Sequence, residues 1–399
     1  MVLSVFCCFG MPEPAPRLEH GLEHPVLQEL QELIHSSPRL YLLFQSMVNQ
    51  APGGYFHDYH QLLSALDGIL KEAPSPNSAL AGVPMMEALR PAMGTVSGYA
   101  VFIDPRINAI IKNLLNAWGV FLSSPESTAV LNTSADGWFG PDALRQLTAT
   151  ANVNGTKYTF EEIFVCDATA PAYGFKSWDA FFTRPFRQGI RPVASPDDDD
   201  VIANACESRP FAVAQHIKAR DIFWLKGKIY SLYDMLGGQV GDRFLGGTVY
   251  QAYLDSYSYH RWHAPVSGRI LQTFHIDGTY FSTPSAIDPI PLEQVQIDYQ
   301  HYLAAMAARA VVVIEADNPD FGEVAFLAIG MEEVSTCEIL VNEGDYVRKG
   351  DQIGMFHYGG SSYCLVFQEE VNLTGFPDEK RKENVPVCGQ LAIVSGEKT

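Results

Sequence analysis

The chain has 399 residues with a formal net charge of −19, and 47% of its residues are hydrophobic and 12% aromatic. This length accommodates one large domain or two, and the apolar share is enough for a substantial core. The acidic balance argues against a nucleic-acid partner and against electrostatic docking on anionic lipid, because both require a basic surface.

The amino terminus and the cysteines bear on the cellular compartment. The apolar segment MVLSVFCCFG at 1–10 has no basic residue and is too short to cross a bilayer, so we interpret it as a frayed end. Acylation of Cys7 and Cys8 is the lesser alternative. Seven cysteines without a CxxC pair indicate neither a disulfide framework nor a zinc site. We therefore expect a cytoplasmic protein without a metal and without stable membrane insertion.

The first third of the chain has helical periodicity. Asp104 and Pro105 supply an N-cap and a proline at the first helical position, and apolar residues then recur at helical spacing. The predicted buried face consists of Ile107, Ile110, Ile111, Leu114, Leu115, Trp118, Phe121 and Leu122. Weaker helical patterns lie near 25–35, 39–49, 58–71 and 78–89. We predict a helical lobe at residues 1–150 that packs on the rest of the chain.

The sequence FFTRPFRQGIRPV at 181–193 combines phenylalanines with arginines. We predict that the phenylalanines pack inward and that the arginines bind carboxylates or backbone carbonyls, which is a scaffolding role. The arginines are Arg184, Arg187 and Arg191. The following acidic run, Asp197–Asp200, is interpreted as a solvated loop, with a calcium site as the less favoured alternative.

From Val201 onward, short strand patterns alternate with Gly and Pro. Two stretches, 264–270 and 341–351, are similar to the half-motifs of a biotinyl- or lipoyl-type β-sandwich. A carrier module is therefore a rival class of function. Such a carrier needs a modifiable lysine in an MKM- or DKA-type triplet at a hairpin tip, and the sequence contains no such triplet.

The stretch Ile353–Phe367 consists of two apolar, strand-type runs around Gly359, Gly360, Ser361 and Ser362. On composition alone this corner is a turn. The second interpretation is self-cleavage, because glycine lets the chain bend until the Ser361 hydroxyl reaches the Gly360 carbonyl. A serine hydrolase is disfavoured, since no GxSxG elbow surrounds Ser361.

Three ordered motifs resemble the phosphatidylserine decarboxylase family: FFTRPFRQGIRPV at 181–193, YHRWHAP at 259–265 and GGSS at 359–362. At finer grain the chain is similar to the fungal L-tryptophan decarboxylases of psilocybin-producing mushrooms. That similarity is carried by WGVFLSS (118–124), ACES (205–208), IEADN (314–318), IGM (329–331) and STCE (335–338). The resemblance implies an α+β fold, with a mostly antiparallel β-sandwich or barrel as the catalytic domain at 151–399 and the helical lobe before it.

The resemblance further implies a proenzyme that cuts itself between Gly360 and Ser361 into a large and a small chain, which stay together. Ser361 would become a covalent pyruvoyl group, which forms a Schiff base with the substrate amine and takes up the electrons released with CO2. Pyridoxal phosphate is not expected, because no phosphate-cradling motif accompanies a lysine.

The expected reaction is conversion of L-tryptophan to tryptamine and CO2. The alternatives are another amino acid, phosphatidylserine as the substrate of a phosphatidylserine decarboxylase, and a non-enzymatic carrier-like module.

The same resemblance assigns site residues. His263 is expected to be the base of self-cleavage, and His260 to assist decarboxylation or protonate the carbanion. Glu207 stands where the family has aspartate, and we expect its carboxylate to orient His263 through Nδ1. Tyr280 and Phe281 either stack on an aromatic substrate or pack in the core, and the sequence leaves both open.

Overall fold

The structure is a computed structural model that describes residues 21–77, 82–224, 228–284, 299–333, 335–357 and 361–395. Cys7 and Cys8, and Gly359 and Gly360 of the predicted cleavage site, lie outside the described residues. Within the described ranges, no helix has both the length and the apolar character needed to cross a membrane.

The amino-terminal part of the chain is helical. Several helices have proline in the first turn, where its missing N–H leaves no hydrogen bond unmade. The helices are α1 (Pro25–Ser36), α2 (Pro38–Gln50), α3 (Tyr59–Ile69), α4 (Pro84–Met93), α5 (Val96–Phe102), α6 (Pro105–Leu122), α7 (Pro141–Ala151), α8 (Phe160–Ile163) and α9 (Trp178–Phe182).

Helix α6 confirms the strongest helical prediction. The carboxylate of Asp104 accepts the backbone N–H of Arg106 at 3.0 Å, which caps the helix as expected. The predicted apolar face is buried, and only Phe121 among its residues remains half-buried. This helix therefore follows from its cap and its periodicity alone.

Beyond residue 200 the structure consists mainly of antiparallel strands. They are β1 (Val201–Ala203), β2 (Arg209–Ala214), β3 (Thr248–Leu254), β4 (Arg261–His263), β5 (Gly268–Ile276), β6 (Arg309–Ala316), β7 (Glu323–Gly330), β8 (Thr336–Ile339), β9 (Tyr346–Val347), β10 (Gln352–His357), β11 (Ser361–Phe367), β12 (Leu373–Thr374) and β13 (Gln390–Val394). The described residues of this region also form short helices: α10 (Leu232–Leu236), α11 (Gly238–Gly241) and α12 (Gln300–Met306).

The strands form three sheets. The largest has the order β2-β3-β11-β7-β6-β5-β9, and the two smaller ones have the orders β4-β10-β8 and β1-β13-β12. All ladders between these strands are antiparallel. Strands β5 and β9 pair Gly268 with Val347, so the two stretches similar to sandwich half-motifs do meet. The predicted α+β class, with a helical lobe and an antiparallel body, is confirmed.

Strand β11 lies inside the large sheet between β3 and β7, and all seven of its residues are buried. A strand covered on both faces needs apolar side chains at successive positions, which explains the continuous run after Ser362. Residues of the helical lobe and of the sheets belong to one hydrophobic cluster, and Phe281, in the segment after β5, contacts Phe102 of the lobe at 6.2 Å between ring centroids. The domain boundary at residue 150 stays a prediction.

The ammonium group of Lys349 binds backbone carbonyls in and beside the acidic loop Asp197–Asp200. The ammonium of Lys349 donates to the carbonyls of Ser195 and Asp198 at 2.7 Å and of Val201 at 3.0 Å. In the part of the chain that the structure describes, no group of three or more His, Cys, Asp or Glu side chains is arranged to hold a metal. The carbonyl of Asp198 and two carbonyls beside the loop thus already have a cationic partner.

Candidate active site

The two serines of the GGSS corner differ in what their hydroxyls contact. Ser361 is the first residue of β11, it is completely buried, and its Oγ has no hydrogen-bond partner among the described residues. The hydroxyl of Ser362 donates to Ala252 O at 3.0 Å and accepts from Gln251 Nε2 at 3.0 Å. A buried hydroxyl without a partner is destabilising and therefore uncommon. Of the two, Ser361 is the hydroxyl that is available for chemistry.

The two arginine-containing motifs bind each other. Arg184 donates through Nη2 to Tyr257 O at 2.7 Å and to Ser258 O at 3.3 Å, just before the YHRWHAP motif. Arg261 of that motif donates through Nε to Thr183 O at 2.7 Å. The guanidinium of Arg184 is fully buried, and burial lowers its pKa to about 9. The predicted scaffolding contacts are confirmed for both Arg184 and Arg187, since Arg187 Nε donates to Glu161 O at 2.6 Å.

His260 lies beside the chain that leads to Ser361. Its carbonyl accepts the N–H of Phe356 at 2.9 Å, and Phe356 is five positions before Ser361. Its ring stacks on Phe182 of α9 at 4.1 Å between centroids. The last two residues of helix α9 are the first two of the motif at 181–193. Through Phe182 this helix therefore supports His260 of the YHRWHAP motif.

His263 is the last residue of β4. It pairs with Gln352 at the start of β10, four positions before Phe356. Its Nδ1–H donates to Gly350 O at 2.7 Å, and Tyr259 O–H donates to its Nε2 at 2.9 Å. Burial lowers the pKa of His263 and outweighs the hydrogen bond to Gly350. The imidazole is therefore neutral, with its acceptor nitrogen facing Tyr259.

The predicted contact between Glu207 and His263 is wrong. The ACES segment does adjoin His263, whose backbone N–H donates to Ala205 O at 2.9 Å. The Glu207 carboxylate, however, accepts from Arg191 Nε at 2.9 Å, from Arg191 Nη2 at 2.5 Å and from the N–H of Val387 at 2.8 Å. With Nδ1 taken by Gly350 and both carboxylate oxygens taken by Arg191, the structure forms no Ser-His-Glu relay.

A pocket adjoins Ser361 through strand β7. Ser361 pairs with Gly330, and the next residue, Met331, lines the pocket. The free volume is about 30 Å³, which is room for about one water molecule, so a larger ligand requires side chains to move. The lining residues come from α4, from the segment after β5, from α12 and the residue before it, and from the residues after β7: Met86, Met93, Tyr280, Ser282, Thr283, Pro284, Tyr299, Tyr302, Leu303, Met331 and Glu332.

Tyr280 and Phe281 lie in different surroundings. Tyr280 lines this pocket, and burial raises the pKa of its phenol. Phe281 lines a separate, wholly apolar cavity within the helical lobe, next to Phe102. Tyr280 thus borders the pocket next to Met331, whereas Phe281 packs against the helical lobe.

Comparisons with known proteins show which family the chain belongs to. Two family models, both described as phosphatidylserine decarboxylase, match residues 24–147 and 178–393. The second covers more than half of the chain and includes both histidines and Ser361. The chain belongs to the phosphatidylserine decarboxylase family. It is accordingly a decarboxylase, a carboxy-lyase of that family.

Curated relatives are similar to this chain over different shares of their length. Decarboxylase iboD of Amanita muscaria (strain Koide BX008) is 43% identical over 310 residues, which are 75% of this chain and 87% of the relative. The L-tryptophan decarboxylase of Psilocybe cubensis is 36% identical over 374 residues, covering 88% of this chain and 82% of the relative. Phosphatidylserine decarboxylase proenzyme 3 of Schizosaccharomyces pombe (strain 972 / ATCC 24843) is 30% identical over 240 residues, 60% of this chain and 23% of the relative.

Two residues that the sequence did not single out connect the site to its surroundings. Gln251 Nε2 donates to Ser362 Oγ and, at 2.9 Å, to the carbonyl of Gln300, where α12 begins. Glu333 accepts the N–H groups of Met85 at 3.0 Å and Met86 at 2.7 Å, so it caps α4 from 247 positions away. No local pattern indicates either contact, because each joins segments that are distant in sequence.

Proposed function

We propose that this decarboxylase is a self-processing, pyruvoyl-dependent enzyme acting on an amino acid, with L-tryptophan as substrate and tryptamine and CO2 as products. The observation that carries the proposal is the Ser361 hydroxyl, which is buried without a partner at the start of a central strand, directly after two glycines. The matched hydroxyl of Ser362 is engaged in two hydrogen bonds and serves as the internal comparison.

Self-cleavage begins when Ser361 Oγ attacks the carbonyl carbon of Gly360. The C–N bond breaks as the ester forms, and the amine of residue 361 is released. Loss of the α-proton of residue 361 and cleavage of its Cβ–O bond then give a large chain ending in the Gly360 carboxylate and a small chain beginning with dehydroalanine. Tautomerisation and attack of water release ammonia and leave a ketone, so one water is consumed and one ammonia is produced.

The surroundings of Ser361 suit an electrophilic carbonyl. The strand is buried on both faces, which keeps bulk water away from Ser361. Ser362 is fixed by Ala252 and Gln251, so the residue after the new chain end is held in place. Once formed, the pyruvoyl group supplies the carbonyl that binds the substrate amine and the sink for the electrons of the departing carboxylate.

The two histidines are proposed for different steps. His260 lies beside the chain that enters Ser361, which supports a role in moving protons during decarboxylation. His263 is neutral and thus suited to accept a proton, but its Nε2 must first leave the hydroxyl of Tyr259. We expect His263→Ala to impair self-cleavage and His260→Ala to cut but lose turnover. Normal cutting and turnover in both variants would contradict these roles.

The pocket next to Gly330 is proposed as the substrate site. Its walls include tyrosine and methionine side chains, with Glu332 and the hydroxyls of Ser282 and Tyr302, 2.9 Å apart, among the polar groups. Such walls suit a flat apolar ring with one polar atom. The similarity to tryptophan decarboxylases over most of the chain supports an indole in this position.

The decisive experiment uses the purified chain, Ser361→Ala and Ser362→Ala. Wild type and Ser362→Ala should yield a small chain that begins at residue 361 with a blocked amino terminus, whereas Ser361→Ala should stay intact and inactive. Product amines are then measured with each common L-amino acid, 5-hydroxytryptophan and phosphatidylserine vesicles. Full activity of an uncut chain would contradict the assignment of a pyruvoyl group. Turnover of phosphatidylserine alone would overturn the substrate assignment.

Treatment with borohydride in the presence of tryptophan tests the cofactor directly. The substrate amine should become attached to the small chain, at residue 361. Activity should be the same with and without added pyridoxal phosphate. An unlabelled small chain, with a carbonyl compound reduced onto a lysine of the large chain instead, would show that a different carbonyl group carries the reaction.

A further inference from the structure

A cluster of three titratable side chains lies at the end of the strand that leads to the cleavage site. His357 is the last residue of β10 and precedes Ser361 by four positions. Its Nδ1 lies 2.8 Å from Asp179 Oδ1, and its Nε2 lies 3.1 Å from Glu338 Oε2. Asp179 belongs to α9 and Glu338 to β8, so the cluster joins three separate elements.

Both ring nitrogens of His357 face carboxylate oxygens. A carboxylate accepts hydrogen bonds, so both nitrogens must carry a proton, which makes the ring an imidazolium. Burial alone would lower the pKa of His357, but the hydrogen bonds and charges of Asp179 and Glu338 outweigh burial and raise it above 6.5. The remaining strand beside β10 presents Arg261, whose guanidinium is bound to Thr183 O and Gln352 Oε1.

The sheet joins β10 to β8 but does not join β10 to α9. The antiparallel ladder between β10 and β8 extends to the pair His357 and Thr336, and α9 is a helix outside this sheet. Helix α9 also carries Phe182, on which the ring of His260 stacks. The hydrogen bond between His357 and Asp179 therefore fixes the end of β10, which leads to the cleavage site, against helix α9, which supports His260.

We propose that His357 is a positioning residue for self-cleavage, acting as an imidazolium clamp that Asp179 and Glu338 hold at the end of β10. The inference rests on the proposed self-cleavage at Gly360 and Ser361. Ser361 is fixed by its ladders to β3 and β7, and His357 fixes the other end of the three-residue connection that contains the scissile bond. The rate at which a hydroxyl attacks a neighbouring carbonyl depends steeply on the relative position of the two groups. A displacement of about 1 Å costs about 100-fold in rate.

The clamp is distinct from the base of the reaction. An imidazolium whose two N–H groups both donate has no lone pair with which to take the Ser361 proton. Its effect is to restrict the geometry of the connection before cleavage. After cleavage it holds the new carboxyl end of the large chain, which lies only three residues beyond His357.

The clamp predicts a pH dependence of a defined sign. Because the pKa of His357 is raised above 6.5, the clamp is intact below that pH and is lost as pH rises through the raised value. A lysine at position 357 keeps its charge to about pH 10. Glutamine at position 357 has no charge at any pH and offers only one donor group.

The test follows conversion of freshly translated precursor into two chains, from about pH 6 to about pH 9. The chains compared are wild type, His357→Gln, His357→Lys and Glu338→Gln, with the exposed His57→Gln as matched control. We expect His357→Gln to slow cleavage by about tenfold or more near pH 6. Glu338→Gln, which keeps the Asp179 contact, should give a smaller loss. The rate of wild type relative to His357→Lys should fall as pH rises, and His57→Gln should match wild type.

Equal rates for wild type and His357→Gln at every pH would overturn the clamp while leaving the proposed function intact. Absence of cutting between residues 360 and 361 in wild type would instead refute the proposed function. If His357→Gln fails to fold, the pH-dependent ratio of wild type to His357→Lys decides, and a ratio independent of pH overturns the clamp.

Discussion

Glu207 forms a buried bidentate ion pair with Arg191, and both of its carboxylate oxygens lie within 2.9 Å of the guanidinium. The side chains are 1% and 7% exposed, so neither charge is solvated in the folded protein. Arg191 also donates to Ala151 O at 2.6 Å and lies over the ring of Phe186 at 4.5 Å. The acid that the motif comparison assigned to His263 thus connects the FFTRPFRQGIRPV segment to the body.

Glu207→Gln should therefore act first on stability. Removing one charge of a buried pair leaves the other uncompensated, which costs about 3 to 5 kcal/mol in the free energy of unfolding. The measurement is urea unfolding in an uncut Ser361→Ala background, so that chain cleavage does not complicate the transition. The double variant Arg191→Met with Glu207→Leu should recover part of the loss. A loss of cleavage by Glu207→Gln at unchanged stability would instead support the original assignment to His263.

The stability contribution of His263 should depend on pH. Its pKa is lowered below 6.5, so under acidic conditions the unfolded chain binds a proton that the folded protein does not. The free energy of unfolding should consequently fall as pH decreases below 6.5, and His263→Gln should reduce that slope. Unfolding curves of the Ser361→Ala chain with and without His263→Gln, taken from about pH 5 to about pH 8, measure the difference. A steeper acid loss in the variant would contradict the neutral imidazole.

Glu333 should have the opposite pH dependence. Burial and the nearby Glu332 raise the pKa of Glu333 well above 4.5. The hydrogen bonds from the N–H groups of Met86 and Met85 lower this pKa, but by less. The folded protein therefore holds a proton that the unfolded chain releases, and stability falls as pH rises above 4.5. Glu333→Gln should remove this slope, whereas Glu333→Ala should destabilise α4 by about 1 kcal/mol for the lost cap. An unchanged slope in Glu333→Gln would show that the carboxyl is ionised at neutral pH.

Gly354 should tolerate no larger residue. A Cβ at this position would lie 2.2 Å from the ring of Trp262, which is itself fully buried. Gly354→Ala should destabilise the protein by about 1 to 3 kcal/mol through overpacking. Gly68, inside α3, has no atom within 4 Å of such a Cβ, so Gly68→Ala should stabilise by about 1 kcal/mol through helix propensity. Thermal melting of both variants in the uncut background decides, and a stable Gly354→Ala variant would contradict the close packing of β4 on β10.

The sequence by itself determined the elements whose signals are local. Helix α6 follows from Asp104, Pro105 and the apolar period, because cap and face lie within one segment. The order of the three motifs was sufficient to indicate the family, and the strand character of 361–367 followed from its apolar run. The weaker pattern at 78–89 placed α4 too early, since its first turn is capped by Glu333 from the sheet-rich part of the chain.

Only the tertiary structure decided which side chains meet. Glu207 is two residues from Arg209 in the sequence, but Arg209 pairs with Asp255, and the partner of Glu207 is Arg191, because the fold places that guanidinium beside the buried carboxylate. Ser361 and Ser362 are indistinguishable in composition, and the pleat and neighbours of β11 leave one hydroxyl free and engage the other. His357, Asp179 and Glu338 come together across 178 positions of sequence because three elements converge at the end of β10, and packing rather than any local pattern creates that contact.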